Sequence, residues 1–304
     1  MDDTAAAAGR TCPRCGAARA AGPECPRCGV IYAKAAARPA PGAPPSEAPS
    51  EAPSEWETAD QRLELRLRAF AIPATLVVAF LIVSSSFGHF VLRLFTMWVH
   101  ELGHATAAWL CGYLAFPGPW FTPVAAQRSL LFAALVLVGL GAGAFWAYRT
   151  ERRGLALALG AVALAQVCCT ALLSADRAMQ LILFMGDGGM LILGALLMLT
   201  VYARQGSALH RGWLRWGFLC IGAAAFADAF EQWWAARTDP DRIPFGMNEG
   251  MGLSDPSVLS ERFGWSAGAL VRRYVALGCV CLVLLAGVYV SALVRRVPAR
   301  DRRS

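Results

Sequence analysis

His100-Glu101-Leu102-Gly103-His104 brings together the residues of this chain best suited to chemistry. On a helix, positions i and i+4 share a face, so both imidazoles can turn a nitrogen toward one Zn²⁺. Glu101 projects beside them, where it can take a proton from an attacking water. In a soluble protein the same three side chains could simply be packed in a helix. Here the run from Phe90 to Phe116 is otherwise nearly all apolar. Ionisable groups inside membrane segments are costly and usually functional, so the spacing points to a metal site with Glu101 as general base.

A catalytic zinc takes three protein ligands and keeps one position for water. The first candidate for the third ligand is Asp187, in Phe184-Met-Gly-Asp-Gly-Gly189, a lone carboxylate inside an apolar stretch. Its flanking glycines let another helix approach closely. If apolar spans 91–114 and 179–203 run antiparallel, His104 and Asp187 both lie about 14 Å deep. Alternatively, Asp187 caps a broken helix or binds a proton or cation. Asp228 and Glu231 share a helical face and form the backup, although near the end of their span they could simply meet water. His89, His210 and Glu249 read as interfacial or loop-borne.

The elements that must position these groups belong to a membrane protein. The chain is 57% hydrophobic and 16% charged, with a mean hydropathy of +0.46, the profile of an all-α polytopic bundle. Apolar spans lie near 69–88, 91–114, 129–148, 154–175, 179–203, 212–234 and 269–294, each long enough to cross a bilayer core of about 30 Å. Six to seven crossings are expected. Arg62, Arg66 and Arg68 precede the first span, and Arg295, Arg296, Arg300, Arg302 and Arg303 follow the last. Both clusters read as cytoplasmic, yet seven crossings would separate them, so one span is expected to be re-entrant or incomplete. No secretory signal is read at the N-terminus, the first apolar run starting near Phe70. Residues 1–60 carry six basic and eight acidic side chains, and the remainder 22 and 13. The excess positive charge therefore flanks membrane segments, which argues for anionic lipid headgroups and against nucleic acid.

Between Cys111 and Val124, three prolines and two glycines end the HELGH helix in an irregular but apolar segment. Such a loop can dip into the membrane only where protein or a wet cavity covers it, and it offers a place for an extended substrate strand. Residues 235–268 read as a long polar connection at the interface.

A second metal pattern opens the chain. Cys12, Cys15, Cys25 and Cys28 stand in two Cys-Pro-Arg-Cys-Gly knuckles, four thiolates for one tetrahedral Zn²⁺. This resembles the zinc ribbons that many bacterial membrane proteins carry at their N-termini. Thiolate zinc requires a reducing compartment, which places the N-terminus in the cytoplasm. The expected organisation is a zinc ribbon over 1–34, a disordered linker over 35–61 containing the Ser46–Glu55 SEAP repeat, and a membrane domain over 62–304.

HELGHATAAWLCG, the Pro/Gly-rich loop and the downstream GDGG resemble the site-2-protease-like membrane metalloproteases over roughly residues 70–205. That resemblance implies one catalytic zinc on His100, His104 and Asp187, and Glu101 as general base and then acid. It departs from the family where residues 178–186, Ala-Met-Gln-Leu-Ile-Leu-Phe-Met-Gly, lack the Asn and Pro that usually precede the Asp-Gly motif. In addition, two apolar spans separate the motifs where the family core has one.

The leading expectation is an intramembrane zinc endopeptidase of the bacterial inner membrane. It would cut membrane-embedded or membrane-proximal proteins, with the ribbon docking a cytoplasmic partner. The alternative from another class is a non-proteolytic scaffold or ion-handling protein with Asp187, Asp228 and Glu231 as a proton or cation path. A gluzincin-like protease with Glu231 as third ligand is a further possibility.

Overall fold

The computed structural model describes residues 11–12, 14–36, 55–203, 207–210, 213–248 and 252–294. Most of the 35–61 linker, Glu249 and the arginines from 295 onward lie outside the described residues. The chain divides into two compact units, Met1–Asp60 and Gln61–Ser304.

In the first unit the two knuckles have matching backbones. Gly16 and Gly29 take positive φ (70° and 66°), a conformation that favours glycine and closes each turn. Their amides bond back to the carbonyls of Cys12 and Cys25 at 2.9 and 2.8 Å. Short bridges, Thr11 with Ala18 and Glu24 with Ile31, close the two halves. Tyr32, at the head of helix α1 (Tyr32–Ala36), is buried with Cys12 and Cys25 in a small core.

The second unit is helical: most of α2 (Glu55–Val83), then α3 (Ser86–Leu110), α4 (Leu130–Arg149), α5 (Arg153–Leu172), α6 (Ala175–Leu199), α7 (Leu214–Ala235), α8 (Asp255–Glu261) and α9 (Ala267–Val294). Serine N-caps set three of the starts. Ser85, Ser129 and Ser174 each accept an amide of the first turn, from Gly88, Phe132 and Arg177. Five of these helices, α2, α4, α5, α6 and α9, are long and apolar enough to cross a membrane. Each of the seven apolar spans read from the sequence contains one of these long helices, but α3 and α7 are not among those five. α3 carries His89, Arg93, His100, Glu101 and His104, and α7 carries Arg215, Asp228 and Glu231. The first two spans also meet earlier than expected, at Ser84 and Ser85.

α6 is the hub, packing on α3, α7, α8 and α9, and more than half of it is buried in protein. α4 and α5 pair as a hairpin of which only 6% is buried, leaving an apolar surface for lipid. The core on the other side of α6 is aromatic. Trp233 stacks on Tyr274 at 4.1 Å between centroids, Tyr274 on Phe184 at 4.3 Å, and Phe226 on Phe230 at 5.6 Å. Glu64 ties α2 to α7. It accepts from Arg68 Nε at 2.6 Å and from Arg215 Nη1 and Nη2 at 2.6 and 3.0 Å.

Candidate metal centres

Close backbone approach brings HELGH and GDGG together. A Cβ on Gly103 would collide with the carbonyl of Met185 and come 2.9 Å from Gly189 Cα. On Gly186 it would lie 2.6 Å from His100 Nε2 and 2.8 Å from His104 Cε1. Glycine at these positions lets α3 and α6 touch backbone to backbone. His100 faces Asp187 while His104 faces Ile182, so the two helices run antiparallel.

Each imidazole is fixed through Nδ1. His104 Nδ1 lies 2.7 Å from the Ile182 carbonyl, and His100 Nδ1 lies 3.1 Å from Asp187 Oδ1. Trp233 Nε1 donates to the other Asp187 oxygen at 2.8 Å. With Nδ1–H donated to an acceptor, each Nε2 lone pair is left for a metal. The two Nε2 atoms stand 3.1 Å apart.

The carboxylate that joins them is Asp255, not Asp187. Asp255 Oδ2 lies 3.2 Å from His100 Nε2 and 3.1 Å from His104 Nε2. The donor atoms of His100, His104 and Asp255 all lie within 4.8 Å of one another. Their triangle has edges of 3.1–3.2 Å, close to the edge of about 3.3 Å expected between ligands bonded to zinc at about 2.0 Å in a tetrahedron. The geometry thus departs from the expected Asp187 ligation. The register of α6 puts Asp187 on the Nδ1 side of His100, where it orients the ring.

Asp255 opens α8, after the N-cap Ser254 and before Pro256. Ser254 Oγ donates to the Pro244 carbonyl at 2.7 Å, and Ser257 Oγ accepts from the Gly246 amide at 2.9 Å. These bonds, with the two-stranded β1 (Met247–Asn248) and β2 (Gly252–Leu253), shape the segment that delivers Asp255. The 235–268 connection is therefore part of the site.

Glu101 and the three donors line one cavity of about 480 Å³. The Pro/Gly loop forms part of its wall through Trp120, Phe121 and Thr122. Thr122 Oγ1 donates to the Glu101 carbonyl at 3.0 Å, and an Ala115–Val124 bridge closes the loop on itself. Asp228 and Glu231 lie elsewhere. Asp228 is fully buried rather than at water and accepts from Thr96 Oγ1 at 2.6 Å, whereas Glu231 pairs with Arg242 at 2.7 Å.

In the N-terminal unit, Cys12 and Cys28 sulfurs lie 3.6 Å apart and those of Cys15 and Cys25 3.7 Å apart. All four lie within 4.8 Å of one another. A tetrahedron with Zn–S bonds of about 2.3 Å has edges of about 3.8 Å, so the four cysteines can hold a structural metal. The Arg27 amide, with that of Cys28, helps bring the Cys25 thiol down to about 6.

Residues 73–115, which run from the middle of α2 through α3 and include His100–His104, match the family model described as Peptidase M50B-like. No curated protein and no solved structure gives a significant match. With its five apolar helices, the chain is an integral membrane protein, and the family match supports a site-2-protease-like membrane metallopeptidase.

Proposed function

We propose that the protein is an intramembrane zinc endopeptidase whose catalytic metal is held by His100, His104 and Asp255. The observation that carries this reading is the triangle of two Nε2 atoms and one carboxylate oxygen opening on the same cavity as Glu101. When bound there, zinc supplies a Lewis acid that polarises the scissile carbonyl and acidifies an attacking water. Glu101 takes the proton of that water and returns it to the leaving amine. Asp187 and the Ile182 carbonyl hold the histidines in the tautomer that leaves Nε2 unprotonated, and Trp233 holds Asp187. The apolar walls of the cavity keep competing water away and strengthen the charge interactions inside it. Substrate enters as an unwound segment, because a helix engages its own carbonyls. The Pro/Gly loop provides an edge beside Glu101 for that segment.

On this reading the substrates are membrane-embedded or membrane-proximal proteins. The ribbon is a zinc-dependent docking module facing the cytoplasm from the bacterial inner membrane. An intact general base beside the triangle favours the enzyme over a scaffold or ion path. Asp187, Asp228 and Glu231 moreover have three separate sets of partners instead of forming a chain.

The test is zinc content and peptide cleavage by the full chain in detergent. The parent should carry about two zinc ions, one per site. His104→Ala and Asp255→Ala should each lose one, whereas Asp187→Asn should keep both, with the catalytic ion bound about 10–100-fold more weakly. Glu101→Gln should keep both and cut nothing. Retention of both ions by Asp255→Ala, with loss on Asp187→Asn, would return the third-ligand role to Asp187.

A further inference from the structure

The cavity extends well beyond the metal triangle, along one face of α3. Its wall includes Phe90, Arg93, Leu94 and Met97 as well as His100, Glu101 and His104. That recurrence every three or four residues makes a continuous stripe along the helix. Among the described residues, Arg93 is the one permanently charged cation on this wall, two helical turns before His100. Seven residues at 1.5 Å each put about 10 Å along the helix axis between them.

Arg93 is held, but only by one edge. Its Nη1 donates to Gln232 Oε1 at 3.1 Å and lies 3.8 Å from Asp228 Oδ1. Asp228 is itself pinned by Thr96, and its side chain is 0% exposed. Among the described residues, no partner takes the other N–H groups of the guanidinium, and the side chain is 34% exposed on the cavity side of α3. A planar cation with a fixed edge and free donors suits a carboxylate, which it can bind in a bidentate manner.

We propose that Arg93 is a specificity determinant that binds a carboxylate of the peptide substrate, three to four residues from the scissile bond. The proposal rests on the peptidase reading. An extended chain advances about 3.3 Å per residue, so about 10 Å from the metal triangle corresponds to three residues, and the reach of the arginine side chain adds part of another. The substrates selected are segments with Asp or Glu at that offset in an otherwise apolar stretch. Such a residue is costly in a bilayer, and Arg93 compensates for its charge.

The test uses the full chain in detergent with short, end-blocked Ala/Leu peptides. Each carries one Glu at successive positions, and each has a twin with Gln there. Cleavage by the parent is located by mass spectrometry. Binding is read separately by fluorescence anisotropy on the Glu101→Gln protein, which holds peptide without cutting it. The Glu peptides should bind about tenfold or more tighter than their twins, the range of a charge-assisted hydrogen bond. Cuts should fall three or four residues from the Glu. Arg93→Gln should remove the difference and Arg93→Lys should keep part of it.

Equal binding of Glu and Gln twins by the Arg93 protein would overturn the proposal whatever the variants do. So would a Glu preference that survives in Arg93→Gln. A parent that favours anionic over neutral lipid vesicles through Arg93, with no peptide preference, would assign the residue to headgroups and equally overturn it. Glu-dependent binding through Arg93 without any cleavage by the parent would keep Arg93 as a carboxylate-binding residue, but would overturn its offset from a scissile bond together with the peptidase reading. Cleavage without Glu preference would overturn the inference and leave the peptidase reading standing.

Discussion

Gly186→Ala adds one methyl group at the tightest point of the site, and its effect can be worked out. The new Cβ would lie 2.5 Å from His100 Cε1, 2.6 Å from His100 Nε2 and 2.8 Å from His104 Cε1. Ordinary contacts for such a carbon begin at 3.4 Å, so the imidazoles or the two helices must retreat by about 1 Å. Metal ligands tolerate displacements of about 0.2 Å, and a displacement of about 1 Å at a reacting centre can cost about a hundredfold in rate. The variant should lose about 10–100-fold in zinc affinity and at least as much in activity. Stability should fall by about 0–2 kcal/mol. Overpacking costs about 1–3 kcal/mol, while alanine in place of glycine in a helix returns about 1 kcal/mol. Gly160→Ala in α5 is the control, because no heavy atom lies within 4 Å of its Cβ position. It should be neutral or slightly stabilising. The assay is competition with a chromophoric chelator in a Cys12→Ser/Cys28→Ser background, which disables the ribbon's metal, beside thermal unfolding in detergent. Parent-like zinc affinity in Gly186→Ala would refute the packing of GDGG against the histidines.

Trp233→Phe removes the donor to Asp187 Oδ2 and nothing else polar. Zinc affinity should fall about tenfold and stability by about 1–3 kcal/mol, read by the same chelator and melting assays. Glu64 provides a pH test. Arg215, then Arg68, hold its carboxyl at about 2 against an ordinary 4.5. A depressed carboxylate contributes stability fully above pH 4.5 and loses it as pH falls toward 2. Melting temperature should therefore drop through that window in the parent, and Glu64→Gln should flatten the drop while lowering the plateau above it. In the N-terminal unit, Cys25→Ser should cost the structural zinc, and a chelator should unfold residues 11–36 without changing the helical circular dichroism of the membrane unit. Retained zinc in Cys25→Ser would argue against the four-thiolate site.

Much of this molecule is legible in the chain because the signals are local. The i, i+4 histidines imply a shared helical face, and the twin knuckles imply four convergent sulfurs. GDGG, read as a place of close approach, meets Gly103 as such. Asp187 was harder to read. Its place in the middle of an apolar helix singled it out, but spacing cannot tell which nitrogen of a histidine a carboxylate will face. Asp255 carries no local signal: 155 residues separate it from His100, and its own context, Ser254-Asp255-Pro256, is an ordinary helix start. Asp228 looked like an end-of-span residue meeting water, yet Thr96 and Arg93 on another helix account for its burial. In each case the deciding partner comes from a distant element, and no local period or motif encodes that pairing.

On the proposed reading, the site draws two of its donors from one rigid helix and the third from a segment shaped by the paired β1 and β2 and a pair of serines. Metal affinity would then be coupled to the order of that segment: any free energy that holds residues 244–248 and 252–257 in place would be added to zinc binding, and zinc would return the same amount to the segment. Loss of metal and loosening of this segment become one equilibrium. Chelation should therefore raise hydrogen exchange at 252–257, far in sequence from the histidines.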